Sequence, residues 1–251
     1  MLSRPIISRC LSHFQATFIL GLTTLANPVF ATAQTISETA TEAVSTLEFR
    51  EIGPAIMGGR VSDIAVVESD PRIFYVGLGA GGVWKTMNDG MTWDPVFDDQ
   101  IAPSIGALAV APSNPNTVWA GTGEPQNRQS SPWGIGIFKS DDAGATWSHM
   151  GLEDTRHISR IMIHHSNPDI VYVGTVGHLW GANETRGVFR TTDGGETWDK
   201  VLYVDEDTGV IDLVMDHTDP NTLFAATYQR RRTGFGFAAG GGGSGIWRTT
   251  D

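Results

Sequence analysis

The sequence predicts an all-β fold, a β-propeller of four-stranded antiparallel blades. Three observations lead there. One turn recurs, and a fixed order of short apolar stretches recurs around it. The composition also suits tight turns and packed sheets, with 30 glycines and 8 tryptophans. The turn is clearest at residues 187–198, GVFRTTDGGETW. Near-copies stand at residues 82–93 (GVWKTMNDGMTW) and 136–147 (GIFKSDDAGATW), and a fourth begins at 245 as GIWRTTD and runs to Asp251. The shared pattern is Ser/Thr-x-Asp/Asn-x-Gly-x-Thr-Trp. Its tryptophans, Trp93, Trp147 and Trp198, are 54 and 51 residues apart. Such a period suits one four-stranded blade.

Taken in order, the chain opens with Arg4 and Arg9, an apolar run at residues 16–26 and the small-x-small triplet Ala31-Thr32-Ala33. That is the layout of a secretory signal peptide (residues 1–33), with cleavage expected after Ala33. The location expected is secreted or periplasmic. The apolar run is shorter than the roughly 20 residues of a membrane span, and no later stretch is long enough, so no membrane span is predicted. Removal would take away Cys10, the only cysteine, and with it any disulfide, thiol nucleophile or cysteine metal site. The remaining 15 basic and 28 acidic residues disfavour a nucleic-acid partner. Residues 34–46 read as a flexible polar lead, and residues 47–251 as a partial propeller.

Each unit offers four strands, A to D. In the first, residues 61–67, 73–77 and 82–85 are A, B and C, and the repeated turn leads into D at Trp93. Asp70-Pro71 marks the A–B turn. The order recurs at 105–110, Asn114-Pro115, 117–121 and Trp147, then at 158–164, Asn167-Pro168, 170–174 and Trp198. The fourth unit has 210–215, Asp219-Pro220, 222–226 and a strand at Ile246. One blade cannot bury both faces of its sheet, so neighbouring blades must stack. Three full blades and a truncated fourth leave the propeller incomplete, and further blades beyond residue 251 are expected as partners.

The chemistry of the turn is structural. Asp142 and Asp193 accept hydrogen bonds from turn N–H groups, and Asn88 keeps the acceptor oxygen without the charge. Gly144 permits positive φ. Trp147, like Trp93 and Trp198, is an apolar plug expected to cover the turn. Asp251 is the matching residue of the fourth copy.

These segments resemble Asp-box (BNR) repeats, found in sialidases, the sortilin amino-terminal domain, xyloglucan-active glycoside hydrolases and photosystem assembly factors. The stretches 52–64 (IGPAIMGGRVSDI), 151–161 (GLEDTRHISRI), 177–198 (GHLWGANETRGVFRTTDGGETW) and 228–232 (YQRRR) are similar to large secreted bacterial proteins labelled glycosyl hydrolase or sortilin-like. The resemblance implies the propeller fold and covers almost all of the chain after residue 33. For the xyloglucan-active enzymes it implies a catalytic aspartate two residues before the Gly-Gly that opens strand C. Here Leu78-Gly79-Ala80-Gly81-Gly82 places Gly79 there, a departure from that pattern.

Propeller geometry puts the A–B and C–D turns on one face and the B–C and D–A connections on the other. The short, uniform turns make the first face scaffold. The irregular B–C connections at 123–134, 177–186 and 228–244 make the second the candidate binding face. Glu124 and Glu184 are the acid/base candidates there, each alternatively paired with Arg128 or Arg186. Hydrolysis would need two carboxyl groups about 5–5.5 or 6.5–9.5 Å apart. The ligand-binding candidates are Arg128, Trp133, Arg156, His157, Arg160, His178, Trp180, Arg186, Tyr228 and Arg230. Trp133 and Trp180 either stack on sugar rings or seal a seam between blades. Arg230-Arg231-Arg232 either binds anions or balances internal charge. Residues 240–243 read as flexible glycine linker. The histidines form no metal motif, and neither metal nor cofactor is expected. Two functions compete: a secreted carbohydrate- or protein-binding propeller of sortilin-like type, and a glycoside hydrolase acting on a polysaccharide through paired carboxylates. The partner expected is a glycan, peptide or protein on the variable-loop face.

Overall fold

The computed structural model describes residues 59–250. The expected signal peptide, the lead at 34–46 and Asp251 lie outside the described residues. Four antiparallel sheets form the blades of a β-propeller. The first holds β1 (Val61–Val66), β2 (Phe74–Leu78), β3 (Val83–Thr86) and β4 (Asp94–Pro95). The second holds β5 (Ile105–Ala111), β6 (Asn114–Thr122), β7 (Ile137–Ser140) and β8 (Ser148–His149). The third holds β9 (Ile158–Ile163), β10 (Val171–Thr175), β11 (Gly187–Thr191) and β12 (Asp199–Leu202). In these three the spatial order follows the chain. The innermost strands β1, β5 and β9 contact one another in turn, and β9 touches β13 (Thr208–Met215).

Burial follows from stacking. The second and third sheets are covered on both sides, so β10 is buried at every position. In the first sheet, β2 keeps the alternating pattern of a sheet with one buried face. The apolar core runs between sheets rather than within them. Tyr75, Phe97, Leu108, Val118 and Phe138 join the first to the second, while Trp119, Ile161, Val171 and Val173 join the second to the third. Each such buried side chain contributes on the order of 1.5–3 kcal/mol. Inner strands approach so closely at Gly106 that a Cβ there would stand 2.1 Å from the Ile158 carbonyl oxygen.

The repeated turn forms the expected network. Thr191 Oγ1 donates to Asp193 Oδ1 (2.7 Å), and Asp193 accepts from Thr197 N (3.0 Å) and Thr197 Oγ1 (2.5 Å). Asn88 keeps the same backbone bond, Thr92 N to Oδ1 at 2.9 Å, and its amide donates to Thr92 Oγ1. Ala143 and Gly144 both have positive φ (59° and 89°), which explains the glycine of the pattern. The tryptophans meet that expectation and extend it. They do more than cover their own turns, where a Cβ on Gly90 would lie 3.3 Å from Trp93 and one on Gly144 3.7 Å from Trp147: Trp147 Nε1 also donates to the Val96 carbonyl and Trp198 Nε1 to the Met150 carbonyl, each at 2.7 Å, across the seam to the preceding blade.

The fourth sheet departs most from the sequence reading. β14 (Leu223–Arg232) runs well past the expected end at 226 and pairs with β13, β15 (Phe237–Ala239) and β16 (Gly245–Thr249). The segment read as a loop from 228 is therefore a strand turning into a hairpin. The glycines at 240–243 are tethered rather than linker-like: Gly240 N donates to the Gln229 carbonyl and Gly243 N to Gln229 Oε1.

Candidate functional site

The B–C and D–A connections meet on one face, and the loop after β6 is its hub. Glu124 opens that loop. Arg60 Nε donates to Glu124 Oε1 at 2.6 Å, and Arg60 Nη2 donates to Oε2. The Glu124 side chain is fully buried, whereas Arg60 is 36% exposed. Arg128 stands further off, its Nε 4.0 Å from Oε1. A Cβ on Gly79 would lie 3.3 Å from the Glu124 carboxyl carbon. The space beside Gly79 is therefore already filled by a carboxylate delivered from the second blade.

The fourth blade reaches the same loop. Arg230 Nη1 donates to the Pro125 carbonyl at 2.7 Å and to Asn127 Oδ1. Arg232 Nη2 donates to the Asn127 carbonyl. Arg230 is almost fully buried, and its Nε has no hydrogen-bond partner among the described residues. Burial, reinforced by the Arg186 charge, pushes its pKa down to about 9. Beside it lies His157, buried and with Nδ1 unpartnered. Desolvation first, then the Arg230 charge, pushes this imidazole down to about 3. His157 is thus neutral at ordinary pH.

Arg186 is a loop organiser. It is fully buried, and its five hydrogen bonds go to Asn183 Oδ1 and to the carbonyls of Val176, His178, Gly181 and Asp207. None goes to Glu184, which is exposed and whose carbonyl accepts from Lys200 Nζ. Of the two expected pairings, the Arg186–Glu184 one is not formed. The Glu124 carboxylate is held chiefly by Arg60.

The two loop indoles are open to solvent, Trp133 at 66% and Trp180 at 49%. Each carries a guanidinium over its ring, Arg156 at 5.7 Å and Arg232 at 5.9 Å. His178 Nε2 lies 2.9 Å from Asp154 Oδ1. Arg160 sits apart on innermost β9, donating to Asp212 Oδ1 at 2.8 Å and lying 3.7 Å from Asp63. Tyr228 is half-buried on β14, opposite Gly209. Among the described residues no group of three or more His, Cys, Asp or Glu is placed to hold a metal ion. No helix there is long and apolar enough to cross a membrane.

No family model matches the chain. A xyloglucanase from a Paenibacillus species is 27% identical over 157 residues, covering 57% of this chain and 14% of its own. Vacuolar protein sorting/targeting protein 10 of Sordaria macrospora is 33% identical over 94 residues, 37% of this chain and 6% of its own. The chain spans less than a fifth of the length of either relative. Among solved structures, the GH74 xyloglucanase from Xanthomonas campestris superposes with a TM-score of 0.53 at 16% identity, over 76% of this chain and 29% of that one. That likeness establishes the propeller architecture.

Several residues of the face were not singled out from sequence: Arg60 as the partner of Glu124, Asn127 as an acceptor for Arg230, and Asp207, which accepts from Arg231 Nε at 2.6 Å. Their separations in the chain, 64 residues for Arg60 and Glu124 and 103 for Asn127 and Arg230, leave no local signal.

Proposed function

We propose that this chain is part of a polysaccharide-acting propeller of the glycoside-hydrolase kind, working outside the cytoplasm, with the glycan lying across the loop face. The observation that carries the reading is the pair of exposed indoles, Trp133 and Trp180, each backed by an arginine. Flat aromatic surfaces beside fixed cations suit the apolar faces and hydroxyl rims of sugar rings. The similarity to proteins named xyloglucanases points to the same ligand class. Between the two loop glutamates, Glu184 is open to a substrate, and Glu124 holds blades together through Arg60. Glu184 is accordingly the residue proposed for acid/base work.

Isothermal titration with xyloglucan oligosaccharides, run beside a reducing-end assay, tests this reading. Saturable binding with turnover that Glu184→Gln abolishes supports it. Absence of both binding and turnover across neutral and acidic polysaccharides would sink it. A second reading, ligand binding without hydrolysis, draws on the commitment of Glu124 to Arg60, which takes one of the two loop carboxylates out of acid/base chemistry. Binding without turnover would select it.

A further inference from the structure

His178 is held at three points. Its backbone N–H donates to Asn183 Oδ1 at 3.0 Å, and its carbonyl accepts from Arg186 Nη2 at 2.6 Å. Its ring Nε2 lies 2.9 Å from Asp154 Oδ1 and 3.1 Å from the Asp154 carbonyl oxygen. Both of those atoms are acceptors, so Nε2 carries the hydrogen. In the neutral ring that leaves Nδ1 as a bare lone pair. Nδ1 makes no hydrogen bond among the described residues, and the side chain is 32% exposed. The loop face therefore presents an oriented imidazole whose basic nitrogen is unoccupied.

The carboxylate that orients the ring is held just as firmly. Asp154 belongs to the short 3₁₀ turn Glu153–Thr155, between the second sheet and the third. The turn is flanked by Leu152 and Arg156, both with left-handed φ (62° and 60°). Among the described non-glycine residues only Asp89 and Ala143, in the repeated turns, share that conformation. An L side chain adopts it at a cost, and such strain persists only where surrounding contacts impose it. Here Thr155 Oγ1 donates to the Leu152 carbonyl (2.7 Å), Thr185 Oγ1 to the Asp154 carbonyl (2.6 Å) and Gly134 N to the Arg156 carbonyl (2.7 Å). The same turn sets Arg156 Nε 3.7 Å from Asp154 Oδ1 and its guanidinium over Trp133. Trp180 follows His178 by two residues. The Asp154–His178 pair thus joins the loops that carry the two open indoles.

We propose that His178 is a catalytic general base and Asp154 its positioning residue. The inference rests on the polysaccharide-hydrolysis reading. Glu124 is committed to Arg60, so Glu184 lacks the partner that a second loop glutamate would have supplied. The imidazole takes that place. His178 Nδ1 accepts a proton from water, whose oxygen bonds to the anomeric carbon as the glycosidic C–O bond breaks. The leaving oxygen takes a proton from the Glu184 carboxylic acid. The imidazolium then releases its proton to solvent, and Glu184 recovers one from solvent. A carboxylate on the far ring nitrogen fixes the tautomer and stabilises the imidazolium as it forms. The Thr185 hydroxyl is committed to the Asp154 carbonyl, so the base acts on water and not on that side chain.

The test follows reducing-end release from xyloglucan. His178→Ala is expected to lower kcat at least about a hundredfold with KM little changed, and added imidazole should restore turnover to it but not to Glu184→Gln. Asp154→Asn should lower kcat at least about tenfold at unchanged KM, without rescue by imidazole. Circular dichroism checks each fold. Should His178→Ala not fold, His178→Gln replaces it, and its loss of kcat at unchanged KM decides. Undiminished kcat in the His178 variant, or a loss in His178→Ala that imidazole does not relieve, overturns the proposal and leaves the hydrolase reading standing. A wild-type chain that turns over neither xyloglucan nor any other polysaccharide overturns both.

Discussion

Arg60 holds the Glu124 carboxylate from the neighbouring blade through two hydrogen bonds, across 64 residues of chain. The carboxylate is fully buried, and the arginine is the side of the pair that meets water. Breaking such a pair leaves a buried charge uncompensated. Arg60→Met is expected to destabilise the protein by about 2–3 kcal/mol, below the full cost of a wholly buried pair because water reaches the arginine side. Glu124→Gln should cost less, since its amide oxygen still accepts from Arg60. Urea unfolding measures both. A Glu124→Gln protein of unchanged stability but no activity towards glycans would instead make Glu124 catalytic.

His157 makes stability depend on pH. Its folded pKa, pushed down to about 3 by burial, lies below its ordinary 6.5. The unfolded chain therefore binds a proton that the folded chain refuses. Stability from this group is complete above pH 6.5 and erodes as pH falls below it, by about 1.4 kcal/mol per pH unit. The turn aspartates act lower. Asp142 is held at about 2, chiefly by its bond from Thr146 Oγ1. Its stabilisation persists above about pH 4 and is lost only as pH falls through that folded value. Between pH 6.5 and about 4.5 the slope belongs mainly to His157. His157→Gln should flatten it in denaturant titrations. An unchanged slope refutes the assignment.

Asn88 shows that the turn needs the acceptor oxygen more than the charge. Asp193→Asn should leave the melting temperature almost unchanged, and Asp193→Ala should lower it. Equal losses in differential scanning calorimetry would show the charge to be essential.

Trp133 and Trp180 touch no seam cluster, so their removal should not weaken the fold. Trp133→Ala and Trp180→Ala are each expected to reduce affinity for polysaccharide about tenfold at unchanged melting temperature. Unchanged affinity in both would move the ligand away from these loops.

The sequence by itself determined the propeller. A turn repeated with its Ser/Thr, Asp/Asn, Gly and Trp in fixed register can satisfy its hydrogen bonds in one way, and Asp142 and Asp193 do so as read. Strand order was legible for the same reason, because apolar runs and Asp/Asn-Pro turns are local signals. The end of β14 was not. Residues 227–232 are polar, and the pairing of Arg230–Arg232 with β15 is fixed by Phe237–Ala239 folding back on them. Only the tertiary structure decided the roles of the loop residues. Glu124 and Glu184 are equivalent as letters in irregular loops, yet one is buried against Arg60 and the other faces solvent. Trp147 and Trp133 are both tryptophans near turns, yet one closes a seam and the other stands open. The physical reason is that stacking brings together side chains from different blades. Burial and charge pairing are properties of that stacking, and no single repeat contains them.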